Sequence, residues 1–337
     1  MTVGLSTATY ATVLSTTAAD LATVETAGPN DPIGGTSSTK IMYVAGTSAS
    51  IGSAYSSTQY LPAFAVIDFS AAAYLSSFQS AVSNTNATIG YISSPTLTLY
   101  DRAATINTAD GFSGSTAPGP INVYIASNTT ASVATVYGSA PYSGAAVNFN
   151  AGVSPEGIVT NGQLGTLTSL GTFNYTPGTT DGQAVNYTLT PSTAGEMALL
   201  NAINNSTSGS LIRLVLTPGS TTTAAAFGGS GVAPYLPPPS FALSAAAPLL
   251  GDANLDGKVD LTDLNIVLNN LGTTTSLRSN GNFDGAATID LTDLNDVLNN
   301  LGVSVTSGSA IVATPEPASL MLLCAAMPLL WKRRRIG

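Results

Sequence analysis

The sequence predicts a mainly β protein: an antiparallel β-sandwich over residues 40–247, a small α-helical module over 248–304 and an apolar helix at the C-terminal end. Three observations lead there. Short period-two apolar runs alternate with Gly, Pro, Asn and Ser turns between Lys40 and Ala247. A 30-residue repeat follows, with helical spacing in each copy. The last residues then join an apolar run to a cluster of basic side chains.

Composition narrows the chemistry. Only 8% of the 337 residues are charged, against about 25% in ordinary globular proteins, so hydroxyls and backbone must solvate much of the surface. The net charge is −9, and nine of the eighteen acidic residues lie beyond residue 246. Only Lys40, Arg102 and Arg213 are basic in the first 245 positions, too few to neutralise a phosphate backbone, so nucleic acid is excluded as a partner. The absence of His removes Ser-His-Asp triads, His-ligated zinc and histidine general bases. The single Cys324 rules out an internal disulfide.

Residues 1–39, rich in Thr, Ser and Ala, read as a low-complexity lead-in or an irregular first strand pair. No Lys or Arg precedes Lys40 and no apolar stretch follows Met1, so these residues do not read as a secretory leader; if the C-terminal end is an export feature, the true start is expected upstream or the sequence is a fragment. Strands are predicted at Phe64 to Phe69, Thr96 to Tyr100, Ile121 to Ala126, Val133 to Tyr137, Ala145 to Asn150, Ala184 to Thr190, Leu211 to Leu216 and Phe241 to Ser244. Alternation places Leu97, Leu99, Val123, Ile125, Val185, Ile212, Leu214 and Leu216 inside and turns Arg213 to water. Two helices interrupt the strands. One spans Ala71 to Val82, with Leu75, Phe78 and Val82 inward; the other starts at a capping box, Thr193 to Glu196, with Met197, Leu200 and Ile203 on one face. Residues 217–250 read as a Thr, Ala, Gly and Pro linker with Pro237-Pro238-Pro239 and a final strand. The succession SPTLTLYDR, INVYIAS, a short helix and LIRLVLTPG resembles the jelly-roll passengers of bacterial surface proteins, similar to carbohydrate-binding sandwiches. That resemblance implies a polysaccharide partner.

The repeat is LTDLNIVLNNLG from Leu261, returning as LTDLNDVLNNLG from Leu291. Residues 264, 267, 268 and 271, and their counterparts 294, 297, 298 and 301, fall on one helical face, and Gly272 and Gly302 suit the position that ends each helix. Ahead of the first helix, Asp252, Asn254, Asp256, Asp260 and Asp263 occupy loop positions 1, 3, 5, 9 and 12, with Gly257 at 6. This is the oxygen-ligand spacing of an EF-hand loop, in which Lys258 at position 7 offers its carbonyl to Ca²⁺. The bland reading is a solvated acidic turn capping a helix. Asp at position 12, and the lack of a helix before the loop, make residues 250–302 resemble a type I dockerin. The resemblance implies calcium bound by Asp252, Asn254, Asp256, the Lys258 carbonyl, Asp260 and Asp263, and a cohesin-like partner. The second copy aligns Asn282, Asp284, Thr288 through its carbonyl, Asp290 and Asp293, but has Ala286 at position 5 and Ala287 at the turn, with Gly285 two places early. It is expected to bind more weakly or stay empty.

Beyond a linker at 305–314 stand Pro315, Glu316 and Pro317, an apolar run from Ala318 to Trp331, and Lys332 to Arg335. Together these resemble the PEP-CTERM sorting signal, also described as an ice-binding-protein C-terminal segment. The resemblance implies an exosortase-type membrane protease as partner and an exported protein, held transiently in the inner membrane through residues 318–331 before release to the cell surface or matrix. Fourteen residues are short for a bilayer core needing about 20, but snorkelling arginines would hold such a span, cytoplasmic side inward.

The leading expectation is a surface- or matrix-associated protein without catalytic activity. A polysaccharide-active enzyme, glycoside hydrolase or lyase, is the alternative. Its candidate carboxylates are Asp68, Asp101, Asp110, Glu156, Asp181 and Glu196, which form no motif, whereas a glycosidase needs a convergent pair. An ice-binding or adhesive β-protein is a third reading, drawn from the Thr-rich strands, though no ladder of solenoid period is visible.

Overall fold

The computed structural model describes residues 12–25, 41–46, 51–53, 63–102, 105–107, 112–129, 164–178, 180, 182–228, 237–275 and 277–304. The strands expected at Val133–Tyr137 and Ala145–Asn150, and the sorting tail at 315–337, lie outside them.

Among the described residues the strands are β1 (Thr12–Thr17), β2 (Asp20–Glu25), β3 (Ile41–Ala45), β4 (Ile51–Ser53), β5 (Ala63–Ser70), β6 (Tyr91–Asp101) and β7 (Thr105–Asn107), then β8 (Phe112–Ser115), β9 (Gly119–Ala126), β10 (Leu167–Tyr175), β11 (Ala184–Thr188), β12 (Leu211–Pro218), β13 (Ala224–Gly228) and β14 (Ser240–Ala246). The helices are α1 (Ala71–Ala81), α2 (Thr193–Asn204), α3 (Leu261–Asn270) and α4 (Leu291–Asn300). The protein is mainly β, as its period-two runs predict. Among the described residues no helix is long and apolar enough to cross a membrane.

Eleven strands make one antiparallel sheet in the order β1-β14-β6-β13-β3-β5-β12-β9-β10, with β11 also paired to β6 and β2 to β5; β4, β8 and β7 form a smaller sheet. Two separate sheets were expected, but hydrogen bonding is continuous because β13 pairs with both β6 and β3. Side chains from strands far apart in this order meet in the core. Phe69 of β5 lies 5.7 Å from Phe241 of β14, and Phe173 of β10 stacks on Tyr187 of β11 at 3.8 Å. Leu97, Leu99, Val123, Ile125, Ile212, Leu214 and Leu216 are buried, with Val185 partly buried against them.

Arg213 does not face water. It is 0% exposed, and its guanidinium donates from Nε and one terminal nitrogen to the two Asp68 carboxylate oxygens, each at 2.8 Å. Asp68 is its register partner on β5. Every residue from Ile212 to Pro218 is buried, so β12 is a central strand covered on both faces, where alternation no longer marks an outside. A charge there requires a paired countercharge.

Other boundaries also move. β1 pairs along β14 and β2 along β5, so part of the expected lead-in belongs to the sheet. Strands β13 and β14 place much of the expected 217–250 linker in the sheet as well. Helix α2 is capped by Ser192, whose hydroxyl accepts from Gly195 N, one residue before the predicted Thr193. Gly195, Leu199, Leu200 and Ile203 are its buried residues, while Met197 is exposed. Helix α1 starts at the Ser70 cap and buries Tyr74 and Phe78, leaving Val82 exposed.

Candidate functional site

The acidic loops are built by helix capping. Asp260 and Asp290 cap α3 and α4, each accepting from the Thr N–H two residues on, and Asp263 and Asp293 complete the capping boxes by accepting from the Asp260 and Asp290 N–H groups. These hydrogen bonds hold the Asp260 and Asp290 carboxyls below the usual carboxylate range. The other oxygen of Asp263 reaches back to Ala253 N at 2.9 Å and Asn254 N at 3.3 Å, and that of Asp293 reaches Phe283 N at 2.7 Å. Both carboxylates are fully buried. One side chain thus ties each loop's start to its helix.

The first loop curls around Asp252. Its Oδ1 accepts from Leu255 N at 2.7 Å, and its Oδ2 from Gly257 N at 2.9 Å and from the Tyr91 hydroxyl. Asn254 accepts from Asp256 N, and Asp256 from Lys258 N. Burial pushes the Asp252 carboxyl above its usual range, and the Asp263 charge adds to that rise, while the Tyr91, Gly257 and Leu255 donors oppose it.

The second loop repeats the path with different chemistry. Asn282 Oδ1 accepts from Gly285 N at 2.8 Å, but its amide nitrogen donates to the Thr275 and Ala286 carbonyls, both at 2.7 Å. A donor therefore stands where the first loop has a carboxylate oxygen. Gly285, at φ 74°, occupies the left-handed position held at φ 59° by Leu255 in the first copy, which accounts for its early placement. Gly257 turns at φ 87°, whereas Ala287 is not left-handed.

The two halves close each other. Val259 exchanges hydrogen bonds with the residues after α4, through Val303 O and Gly302 N, and Ile289 does so with those after α3, through Thr273 O and Gly272 N. Gly251 and Gly281, 30 residues apart, lie against the opposite helix: a Cβ on Gly251 would sit 2.9 Å from Val297 Cα, and one on Gly281 3.0 Å from Val267 Cα. Sequence reasoning passed over both glycines, although their recurrence at the repeat period was the available signal. The core they enclose is small, comprising Leu249, Val259, Val267, Ile289 and Val297. The predicted apolar face is thus only partly buried. Leu268, Leu271, Leu298 and Leu301 are 42–49% exposed.

The structure therefore brings Asp252, Asn254, Asp256, Lys258, Asp260 and Asp263 into one loop, and Asn282, Asp284, Thr288, Asp290 and Asp293 into its counterpart. Among the described residues, no three His, Cys, Asp or Glu side chains are grouped to hold a metal ion; the carboxylates turn to backbone N–H groups instead. In type, the donors of the first loop fit a hard cation. All are oxygens, two belong to fully buried carboxylates, and Asp252 Oδ1 and Asp263 Oδ2 each accept one hydrogen bond, leaving acceptor capacity.

Elsewhere, a groove of about 380 Å³ opens between α2 and the ends of β9, β10 and β12. Ser127, Thr129, Thr168, Asn201, Asn205 and Ser210 line it over an apolar floor that includes Ile125 and Leu211, without a charged side chain. Of the candidate catalytic carboxylates, Asp68 is held by Arg213, and Asp101 is buried with the Tyr175 hydroxyl at 3.0 Å and Gly178 N as donors. Glu196 lies exposed on α2, and Asp110, Glu156 and Asp181 fall outside the described residues. Compared with known proteins, the chain matches no family model and no curated sequence.

Proposed function

We propose that the chain is an exported, non-catalytic surface or matrix protein. It pairs a sandwich-type, jelly-roll-like passenger that binds neutral polysaccharide with a calcium-stabilised, dockerin-like module and a PEP-CTERM tail read by an exosortase-type protease. The observation that carries the reading is the first loop. Asp252 and Asp263 are fully buried, and burial, together with the Asp263 charge, pushes the Asp252 carboxyl above its usual range, while the nearby Arg278 turns to the carbonyls of Leu249 and Asp252. Such a pair is stabilised by a cation. Asp252, Asn254, Asp256, the Lys258 carbonyl, Asp260 and Asp263 would hold Ca²⁺, which adds positive charge to that of the nearby Arg278. Asn282 already meets its loop's needs with its own amide, so the second loop depends less on metal.

The exposed leucines of α3 and α4 and the residues just past them recur at the repeat period. An apolar surface of this kind suits a protein partner, here a cohesin-like domain. The groove beside α2 has the size of a small-ligand site, about 300 Å³ or more, and its hydroxyls and amides suit sugar hydroxyls better than any ion. In the tail, Pro315, Glu316 and Pro317 mark the expected point of processing.

Calorimetry of the full chain with calcium chloride, a glycan array, and mass spectrometry of the exported protein test the three parts. Saturable calcium binding, retention on neutral glycans and a new C-terminus near Pro315 are expected. Heat-silent calcium addition sinks the module's role, turnover of any glycan sinks the non-catalytic reading, and an exported protein still reaching Gly337 sinks processing at Pro315.

A further inference from the structure

We infer that Tyr91, the first residue of β6 in the passenger sheet, is a positioning residue of the first calcium loop, so that filling the loop and holding the sheet against the module are one linked event. The inference rests on the calcium reading and adds to it a residue that no loop spacing contains, 161 positions from its partner.

Tyr91 joins both sides by one oxygen. Its hydroxyl accepts from Leu249 N at 3.0 Å and donates to Asp252 Oδ2, while its ring packs against the module's small apolar core. The segment it grips is also held by Arg278, which donates to the Asp252 carbonyl at 3.0 Å and to the Leu249 carbonyl and lies 5.0 Å over the Phe283 ring. Gly90 seals the same joint, since a Cβ there would meet Pro248 Cα at 2.5 Å. Oδ2 of Asp252 thus has two donors, Tyr91 and Gly257 N, and Oδ1 has one, Leu255 N. A carboxylate oxygen accepts two such bonds. By occupying Oδ2, Tyr91 fixes the carboxylate's rotation and leaves the open capacity on Oδ1. Partners of this kind, which orient a metal ligand without touching the metal, are worth about 10–100-fold in affinity. Among the described residues the second loop has no such link to the sheet: Asn282 is held by Thr275 and Ala286 of the module itself.

The test compares the full-length wild type with Tyr91→Phe and Tyr74→Phe, titrated with calcium chloride by calorimetry below their melting temperatures. Tyr74 is the control, because its hydroxyl donates to Phe241 O in the same sheet but away from the loop. Tyr91→Phe is expected to weaken calcium binding at least tenfold, while Tyr74→Phe lowers stability and leaves affinity unchanged. Equal affinity in wild type and Tyr91→Phe overturns the inference and leaves the calcium reading intact. A wild type that binds no calcium overturns the calcium reading itself. Hydrogen exchange on the wild type gives an arm that needs no variant. Calcium should slow exchange at Leu249 and at the start of β6 together with the loop amides, and protection confined to the loop refutes the link.

Discussion

Replacing Asp68 with Asn would remove the charge that Arg213 was buried with and keep the shape of the side chain. Arg213 is 0% and Asp68 2% exposed, and the two hydrogen bonds of 2.8 Å form a planar bidentate pair between register partners on adjacent central strands. Burial alone pushes the Asp68 carboxyl upward, and the guanidinium pulls against it, so each charge is tolerable because of the other. Breaking one side of a fully buried pair typically costs about 3–5 kcal/mol. A domain's whole stability is about 5–15 kcal/mol, and at roughly 2–4 °C per kcal/mol the melting temperature should fall by roughly 6–20 °C. Arg213→Met should cost a comparable amount, since it leaves the buried Asp68 without its guanidinium and beside Asp20, its register partner on β2. The double change Asp68→Leu with Arg213→Met should recover most of the loss, because an apolar pair of similar volume needs no desolvated charge. Urea unfolding followed by circular dichroism measures all four corners of the cycle. Single losses below about 1 kcal/mol that simply add in the double variant would refute the claim that this is a coupled, water-excluded pair.

Three further outcomes follow from the same geometry. Asp263→Ala should weaken calcium binding far more than Asp293→Ala, and a chelator should lower helicity from α3 and α4 together; calorimetry and circular dichroism on the full chain check this, and a larger effect from Asp293→Ala would reverse the assignment. Gly251→Ala should destabilise the module by more than the roughly 1–2 kcal/mol that left-handed strain costs by itself, because its Cβ would also press on Val297, whereas Gly272→Ala meets nothing within 4 Å and should show the strain alone in thermal melts. Tyr74, Tyr175 and Tyr187 are held neutral by burial, with pKa values raised well above the usual 10.0. Unfolded tyrosines ionise first, so this stability is complete below pH of about 10 and is lost as pH rises beyond it; urea midpoints at pH 8 and pH 11 that coincide would contradict it.

Local pattern carried the reading furthest where one face of an element is wet. The alternation in β6 placed Leu97 and Leu99 correctly, and the repeat located both helices and their terminal glycines, which have the left-handed φ values of 81° and 88° that such positions require. It failed where tertiary covering overrides alternation. Arg213 looked like an outward residue because period two assumes a wet side, and β12 has none. The capping residue of α2 was misplaced by one because Ser192 and Thr193 are both competent caps, and only the chain's approach to the helix decides between them. Leu268 and Leu298 share the spacing of a buried face, but a module this small has too little opposing surface to cover them. Tyr91 was illegible for a different reason: a side-chain link across more than a hundred residues leaves no periodic trace.

The exchange of hydrogen bonds at Val259 and Ile289 also sets what can be gained or lost by recombination. Each loop borrows its closing backbone from beyond the other copy's helix, so a single copy is an open form rather than half of a working one. Deleting one 30-residue repeat would leave a loop without its closing backbone partners, and adding a third would supply a loop with no helix end to meet. The countable unit of this module is therefore the pair. Tandem growth, the common fate of duplicated segments, is available to it only two copies at a time.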